Sequence, residues 1–360
     1  METFTCATDI ISGSGSVAYL ERLGIRRLLM VADPYFMKNG HAQRIAALAK
    51  AEKVEFFCNI QPDPSVELTA EAAAFCRGFQ PDTVVALGGG STIDCAKAMA
   101  YFAGQKVCFV AIPTTSGSGS EVTDFAVLTH GDRKQPLVDP KLRPQVAILD
   151  EELLRNMPQS LIADTGFDAL SHSAEALVAT GAGHFTDTLA KEAFATVFRD
   201  LSASWAGDGS RRQAVHEGSA MAGLAFSQAG LGLCHAMSHV LGGALHLPHG
   251  RLNAILLPAV IGVNSKKCRH KYGELARACG LGGAADVMAV RNLLAGLQRL
   301  RRELKMPETL SQAGADPKML ERQMSGILAG VLADPCCKTN PLLVEESMVR
   351  QVLKEVAGRG

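Results

Sequence analysis

A chain of 360 residues, 47% of them hydrophobic, is long enough for two domains or for one large α/β unit with a full core. Its 36 basic and 36 acidic residues cancel, and no basic run is interleaved with aromatics, so the charge pattern points neither to nucleic acid nor to a lipid surface. No uncharged run is long enough to span a bilayer, the opening Met1-Glu2-Thr3-Phe4 lacks the regions of a secretory signal, and ten cysteines without a CxxC pair suit a reducing cytoplasm.

Taken in order, the first half alternates. An apolar run over 28–33 ends in Asp33, and helical spacing follows over 40–51. A strand pattern over 54–60 precedes a helix over 67–79, a buried strand over 83–87, a helix over 91–104 and a strand over 107–112. Runs over 121–129 and 146–149 read as added strands, the first as part of a hairpin extension. Strands alternating with helices predict a mainly parallel sheet covered on both faces. From about Pro158 the pattern changes to amphipathic helices over 159–180, 185–205, 211–227, 284–304, 317–332 and 345–356, with no convincing strand. The expected organisation is an α/β dinucleotide-binding domain over 1–157 and an all-helical metal- and substrate-binding domain over 158–360.

Two turns of the first half carry ligand-binding chemistry. Gly88, Gly89, Gly90 and Ser91, followed by Asp94, sit at a strand-to-helix junction. Glycines there let backbone approach a ligand, and a helix N-terminus favours a diphosphate. The stretch is neither the GxGxxG fingerprint nor a P-loop. The second turn, with Thr114, Thr115 and Ser118, also follows a strand and offers hydroxyls with little bulk, as the ribose and nicotinamide end of a dinucleotide requires. Asp33 has two readings: an acceptor for the adenosine ribose that favours NAD over NADP, or a helix cap before Pro34.

The second half carries the metal chemistry. Asp168 and His172 are four residues apart, as are His235 and His239, so on helices each pair faces one point. His249 follows a proline where the chain must turn. Apolar flanks place these imidazoles in buried helix, where a metal is the economical partner. One carboxylate and three imidazoles suit Fe(II) or Zn(II), with room for a substrate oxygen. His246 is a further candidate for the cleft; His184, His216 and His270 read as surface residues, and Cys336-Cys337 as loop thiols.

Together the stretches GGGSTIDCAKA at 88–98, IPTTSGSGSEVT at 112–123, DTGFDALSHSAEA at 164–176 and GLAFSQAGLGLCHAMSHVLGGALHLPHG at 223–250 resemble the iron-containing (group III) alcohol dehydrogenase family. The likeness is greatest to its short members that act on propanal or acetaldehyde in bacterial microcompartments. The resemblance implies a Rossmann-like N-terminal domain, a helical C-terminal domain of dehydroquinate synthase-like architecture, and an active site in the cleft between. It implies metal ligands at Asp168, His172, His235 and His249, with His239 near the substrate rather than on the metal. Gly89, Gly90 and Ser91 would face the pyrophosphate; Thr114, Thr115 and Ser118 would line the nicotinamide; Lys134 and Leu149 would border the cofactor and Phe226 the substrate pocket. The cofactors would be NAD(H) and one divalent metal, iron before zinc, acting as a Lewis acid on an alcohol or aldehyde oxygen. A homodimer is the family expectation, with microcompartment enzymes or a shell as further partners.

Where many members of the family have an Asn between two prolines, this chain has Pro62-Asp63-Pro64, which puts a cofactor contact in question. His239 reads either as a proton relay or as a core histidine bonded to a carbonyl. The alternatives are a glycerol-type polyol dehydrogenase and a dehydroquinate-synthase-like lyase. The second handles a polyanion, yet 222–250 holds no Lys or Arg.

Overall fold

The computed structural model describes residues 3–131 and 133–358, without the side chains of Arg133 and Lys134. The chain forms two compact units, one over Thr5–Asn156 and one beginning at Met157.

The first unit is built on six parallel strands: β1 (Asp9–Ser12), β2 (Arg27–Ala32), β3 (Lys53–Phe57), β4 (Thr83–Gly88), β5 (Cys108–Pro113) and, after an antiparallel hairpin of β6 (Phe125–His130) and β7 (Arg133–Val138), β8 (Val146–Leu149). Their order is β1-β8-β5-β4-β2-β3. Successive side chains point to opposite faces. Leu28, Met30, Ala32, Val85 and Leu87 meet α1 (Pro34–Lys38) and α2 (His41–Leu48) on one face. Leu29, Val31, Val84 and Ala86 meet α3 (Val66–Phe79) and α4 (Gly90–Ala103) on the other. Burial on both faces is why these strands are continuous apolar runs. The chain leaves β2 for β3 on one side and crosses back to β4 on the other. The carboxyl ends of β2 and β4 therefore flank a topological switch point, the place where such sheets bind ligands.

Two local expectations change. The segment expected to be a strand from 121 begins with a 3-10 turn at Ser120–Val122, and the strand starts at Phe125. The buried Lys97 ammonium donates to the Thr123 and Phe125 carbonyls at 2.9 Å, which draws the segment into a turn. β1 was not expected; four mostly exposed residues carry almost no burial pattern.

The second unit is helical, and its described residues form no strand. Its helices are α5 (Gln159–Val178), α6 (His184–Trp205), α7 (Gly209–Ala229), α8 (Leu233–Leu245), α9 (His249–Ala278), α10 (Asp286–Glu303), α11 (Pro317–Ala333) and α12 (Glu346–Val356). α5 is the central one. From Ile162 to Val178 every residue but Thr165 is buried, against α6, α7 and α9. Small residues permit this: a side chain at Gly166 would lie 2.3 Å from Leu201. α9 was not expected as a helix. It contains Pro258 and leaves helical geometry at Cys268, which breaks up the sequence pattern. His216, expected at the surface, is fully buried in α7. The reason is that α7 is enclosed by α5 and α6, so its mixed-polarity face is not a solvent face. No helix among the described residues is long and apolar enough to cross a membrane.

Candidate active site

Three helices of the second unit carry the candidate metal ligands. Asp168 and His172 lie one turn apart on α5, His235 lies in the first turn of α8, and His249 is the first residue of α9. The turn expected at Pro248 is thus also a helix start, with Pro248 in the cap position. Asp168 Oδ1 lies 3.6 Å from His235 Nε2 and 3.4 Å from His249 Nε2. Ligand atoms of Asp168, His172 and His235 all lie within 4.8 Å of one another. The His172 ring is stacked between Phe226 of α7, at 4.2 Å, and His235, at 4.4 Å. Phe226 therefore walls the cluster on one side.

The donor set leaves one acceptor at its centre in need of a partner. Asn253, one turn into α9 from His249, turns its Nδ2 toward Asp168 Oδ1 at 2.7 Å, His249 Nε2 at 3.2 Å and His235 Nε2 at 3.4 Å. An amide has two hydrogens for three acceptors, so one acceptor needs a proton or a cation. Burial alone would raise the Asp168 pKa, but the surrounding imidazoles outweigh it and hold the group well below the usual carboxylate range. Burial would lower His235; the hydrogen bonds with Asp168 and Glu175 reverse this and push it up to about 9. Burial also lowers His249, against the opposing pull of Asp168, and so favours its neutral, ligating form. An ionised carboxylate with imidazole nitrogens converging on one point fits a divalent ion of the iron or zinc type.

His239, the next turn of α8, is half-buried and borders the cluster. Its Nδ1 is paired with Asp334 Oδ2 at 3.0 Å, and its ring stacks on His249 with centroids 5.3 Å apart. Cys336 lies beside this pair, in the short 3-10 turn Pro335–Thr339, its Sγ within 4.8 Å of their ligand atoms. His246 caps the end of α8 in a left-handed conformation and is exposed; His184 and His270 are exposed as expected.

In the first unit the two glycine-bearing turns lie side by side. Thr114 N–H donates to the Gly88 carbonyl at 3.0 Å. A Cβ at Gly90 would lie 3.0 Å from Ser118, one at Gly89 would lie 3.3 Å from Thr115, and one at Gly88 would strike Thr92 at 2.4 Å. No side chain caps the N-terminus of α4. Bare helix N–H groups beside a glycine cradle fit a diphosphate. Ser91 Oγ accepts the Asp63 N–H at 3.3 Å, and Asp63 adopts a left-handed φ of 53°. Asp94 is engaged on the other side of α4: its carboxylate oxygens accept from Ser120 Oγ and from Val127 N–H, so it anchors the loop. Asp33 does cap α1, accepting from Tyr35 N–H through Oδ1 at 2.8 Å, and it stands at the end of β2 beside the switch point. Leu149 is buried at the end of β8. Lys134 lies in β7, but its side chain is outside the described residues.

Comparison with known proteins decides the family. Residues 7–151 match the iron-containing alcohol dehydrogenase family, and residues 162–357 match the C-terminal part of the Fe-containing alcohol dehydrogenase family. The chain belongs to the iron-containing alcohol dehydrogenases. It is 36% identical to 1-propanol dehydrogenase of Citrobacter freundii, over 99% of this chain and 100% of that protein. It is 35% identical to NADPH-dependent butanol dehydrogenase of Clostridium saccharobutylicum, over 98% and 97%. Among solved structures, an iron-containing alcohol dehydrogenase of Thermococcus thioreducens aligns with a TM-score of 0.91 and 33% identity, over 98% of this chain and 99% of that one. The chain is therefore an alcohol dehydrogenase, an oxidoreductase that interconverts alcohol and aldehyde with the family's divalent iron and nicotinamide dinucleotide.

Glu175, Asn253, Asp334 and Lys97 escaped the sequence reading. The signal was the spacing already used for the ligands: Glu175 is three residues beyond His172, Asn253 four beyond His249, and Lys97 three beyond Asp94.

Proposed function

We propose that this dehydrogenase acts on short primary alcohols and their aldehydes, of the propanol and ethanol size, with NAD(H). Asp168, His172, His235 and His249 would hold its metal. The observation that carries this reading is the convergence of one buried carboxylate and its imidazole neighbours on one centre. When bound, the divalent ion supplies Lewis acidity at a substrate oxygen and the dinucleotide carries the hydride.

The protein's own groups supply the rest. With Nδ1–H donated to Asp334, His239 presents a basic Nε2 that takes the proton of an alcohol or returns one to the product of aldehyde reduction. Phe226 shields the cluster and limits the room beside it. The uncapped end of α4, with Gly89, Gly90 and Ser91, takes the pyrophosphate, and Thr114, Thr115 and Ser118 line the nicotinamide side. Leu149 and Lys134 border the cofactor. Asp33 retains Oδ2 for a ribose hydroxyl while Oδ1 caps α1, and its charge disfavours a 2′-phosphate. The absence of Lys and Arg from 222–250 supports a small uncharged substrate. The likeness to 1-propanol dehydrogenase supports its size; residence in a bacterial microcompartment and a homodimer are the expectations that the sequence resemblance adds.

Turnover of propanal with NADH, followed at the NADH absorbance band, tests the reading. His235→Ala is expected to lose bound metal and at least about a thousandfold in kcat/KM, or about 4 kcal/mol of transition-state stabilisation. NADH binding should stay within about twofold, as expected when a separate unit binds it. Full turnover by that variant in metal-free buffer would refute the ligand set.

A further inference from the structure

Glu175 stands behind the metal cluster, and neither the family's activity nor the ligand set gives it a part. It is 2% exposed, on α5 three residues beyond His172. Its Oε2 lies 2.7 Å from His235 Nδ1. The same carboxylate takes three backbone donors: Gly232 N–H at 3.0 Å, Cys234 N–H at 2.6 Å and His235 N–H at 3.3 Å. The remaining N–H of this turn, that of Leu233, donates to Asn340 Oδ1 at 3.2 Å. Gly232, in the cap position before α8, has no side chain with which to cap the helix. All the N–H groups that a helix leaves orphaned here are thus satisfied by two side chains from outside it.

Glycine is required at 232 for this arrangement. A Cβ there would lie 2.8 Å from Asn340 Oδ1 and 2.9 Å from Glu175 Oε1. The approach is so close that the cap and the side chain at 235 become one unit. A buried carboxylate surrounded by N–H donors accepts from Nδ1 and holds the His235 proton there. The other ring nitrogen, Nε2, faces Asp168 and is the one left to exchange its proton for a metal ion.

We propose that Glu175 is the positioning residue of the metal centre: it fixes the Nδ1–H tautomer and the ring orientation of His235, and by capping α8 it ties the helix bearing one ligand to the helix bearing two. This rests on His235 being a metal ligand. Mutation of such an outer carboxylate lowers metal affinity by about 10–100-fold. Three variants and one spectrum test the role, with metal affinity read by competition with a chelator. Glu175→Gln should lose about 10–100-fold in zinc affinity. Asn340→Ala removes the other half of the cap without touching the imidazole; it should lower Tm yet keep zinc affinity within about threefold. In the wild-type zinc-loaded protein, nitrogen-15 histidine spectra should show His235 protonated at Nδ1.

A spectrum with no proton on Nδ1 would overturn the proposal, and it needs no variant to fold. So would equal loss of affinity in Glu175→Gln and Asn340→Ala, because capping alone would then account for both. His235→Ala separates the two levels. If it keeps its metal, the ligand set fails. If it loses the metal while Glu175→Gln keeps wild-type affinity, only the role of Glu175 fails.

Discussion

His235 shows how a single residue couples metal binding to pH. Without metal, its neighbours Asp168 and Glu175 outweigh burial and raise its pKa to about 9. A metal ion must displace that proton, so apparent affinity is predicted to climb about tenfold per pH unit from pH 6.5 to 8.5 and to level off above pH 9, with about one proton released per ion bound. The metal-free fold has the opposite sign. A folded pKa above the unfolded 6.5 gives a stabilisation that is complete below pH 6.5 and is lost as the pH rises through about 9. Chelator competition across this range checks the first statement, and a flat profile would contradict it. At this scale the sequence was most legible where chemistry and helical spacing coincide, as for Asp168 and His172. It was least legible where a partner is distant in the chain. Glu175 and His235 are 60 residues apart, and no local pattern joins them. Asp33 shows a different limit: its side chain serves as the cap of α1 while its place at the end of β2, beside the switch point, is also the place for the proposed ribose contact, so one role does not preclude the other.

At the scale of elements, the ligands meet because helices approach closely. Gly250, next to His249, packs its backbone onto α5; a Cβ there would lie 2.0 Å from the Asp164 carbonyl oxygen. Arg251 adds two donors to the Asp164 carboxylate, at 2.9 and 3.2 Å, and fastens the first turn of α9 to α5 one turn before Asp168. Gly250→Ala is therefore expected to force α9 away from α5, to cost about 1–3 kcal/mol of stability as overpacking does, and to lower metal affinity at least about tenfold by separating His249 from Asp168. Thermal unfolding and chelator competition check this, and wild-type values of both would contradict it. Elements with a strong period were readable from sequence: the buried strands β2, β4 and β5, and helices such as α10 with one apolar stripe. α9 was not, because it is buried on many sides and interrupted by Pro258, so it presents no stripe. β1 was not, because an exposed four-residue strand takes its place from its partner β8 rather than from its own pattern.

At the scale of the whole molecule, the change from alternating strands and helices to helices alone marked two kinds of architecture, and each meets a different chemical demand. A twice-covered parallel sheet offers carboxyl-end turns with bare N–H groups, which suit a diphosphate. A bundle of close-packed helices brings imidazoles from several turns to one buried point, which suits a metal. Composition could bound this division but could not bring Asp168, His172, His235 and His249 together, since that depends on how closely α5, α8 and α9 approach at Gly232 and Gly250. The central claim is that these helices grip one divalent ion through Asp168, His172, His235 and His249. The most direct test is an anomalous difference map, at the iron edge, of crystals of the iron-reconstituted protein. A single peak about 2.0–2.2 Å from a carboxylate oxygen of Asp168 and from one nitrogen of each of the three histidines is the predicted result. A peak elsewhere, or one that leaves any of the four beyond bonding distance, would contradict the account.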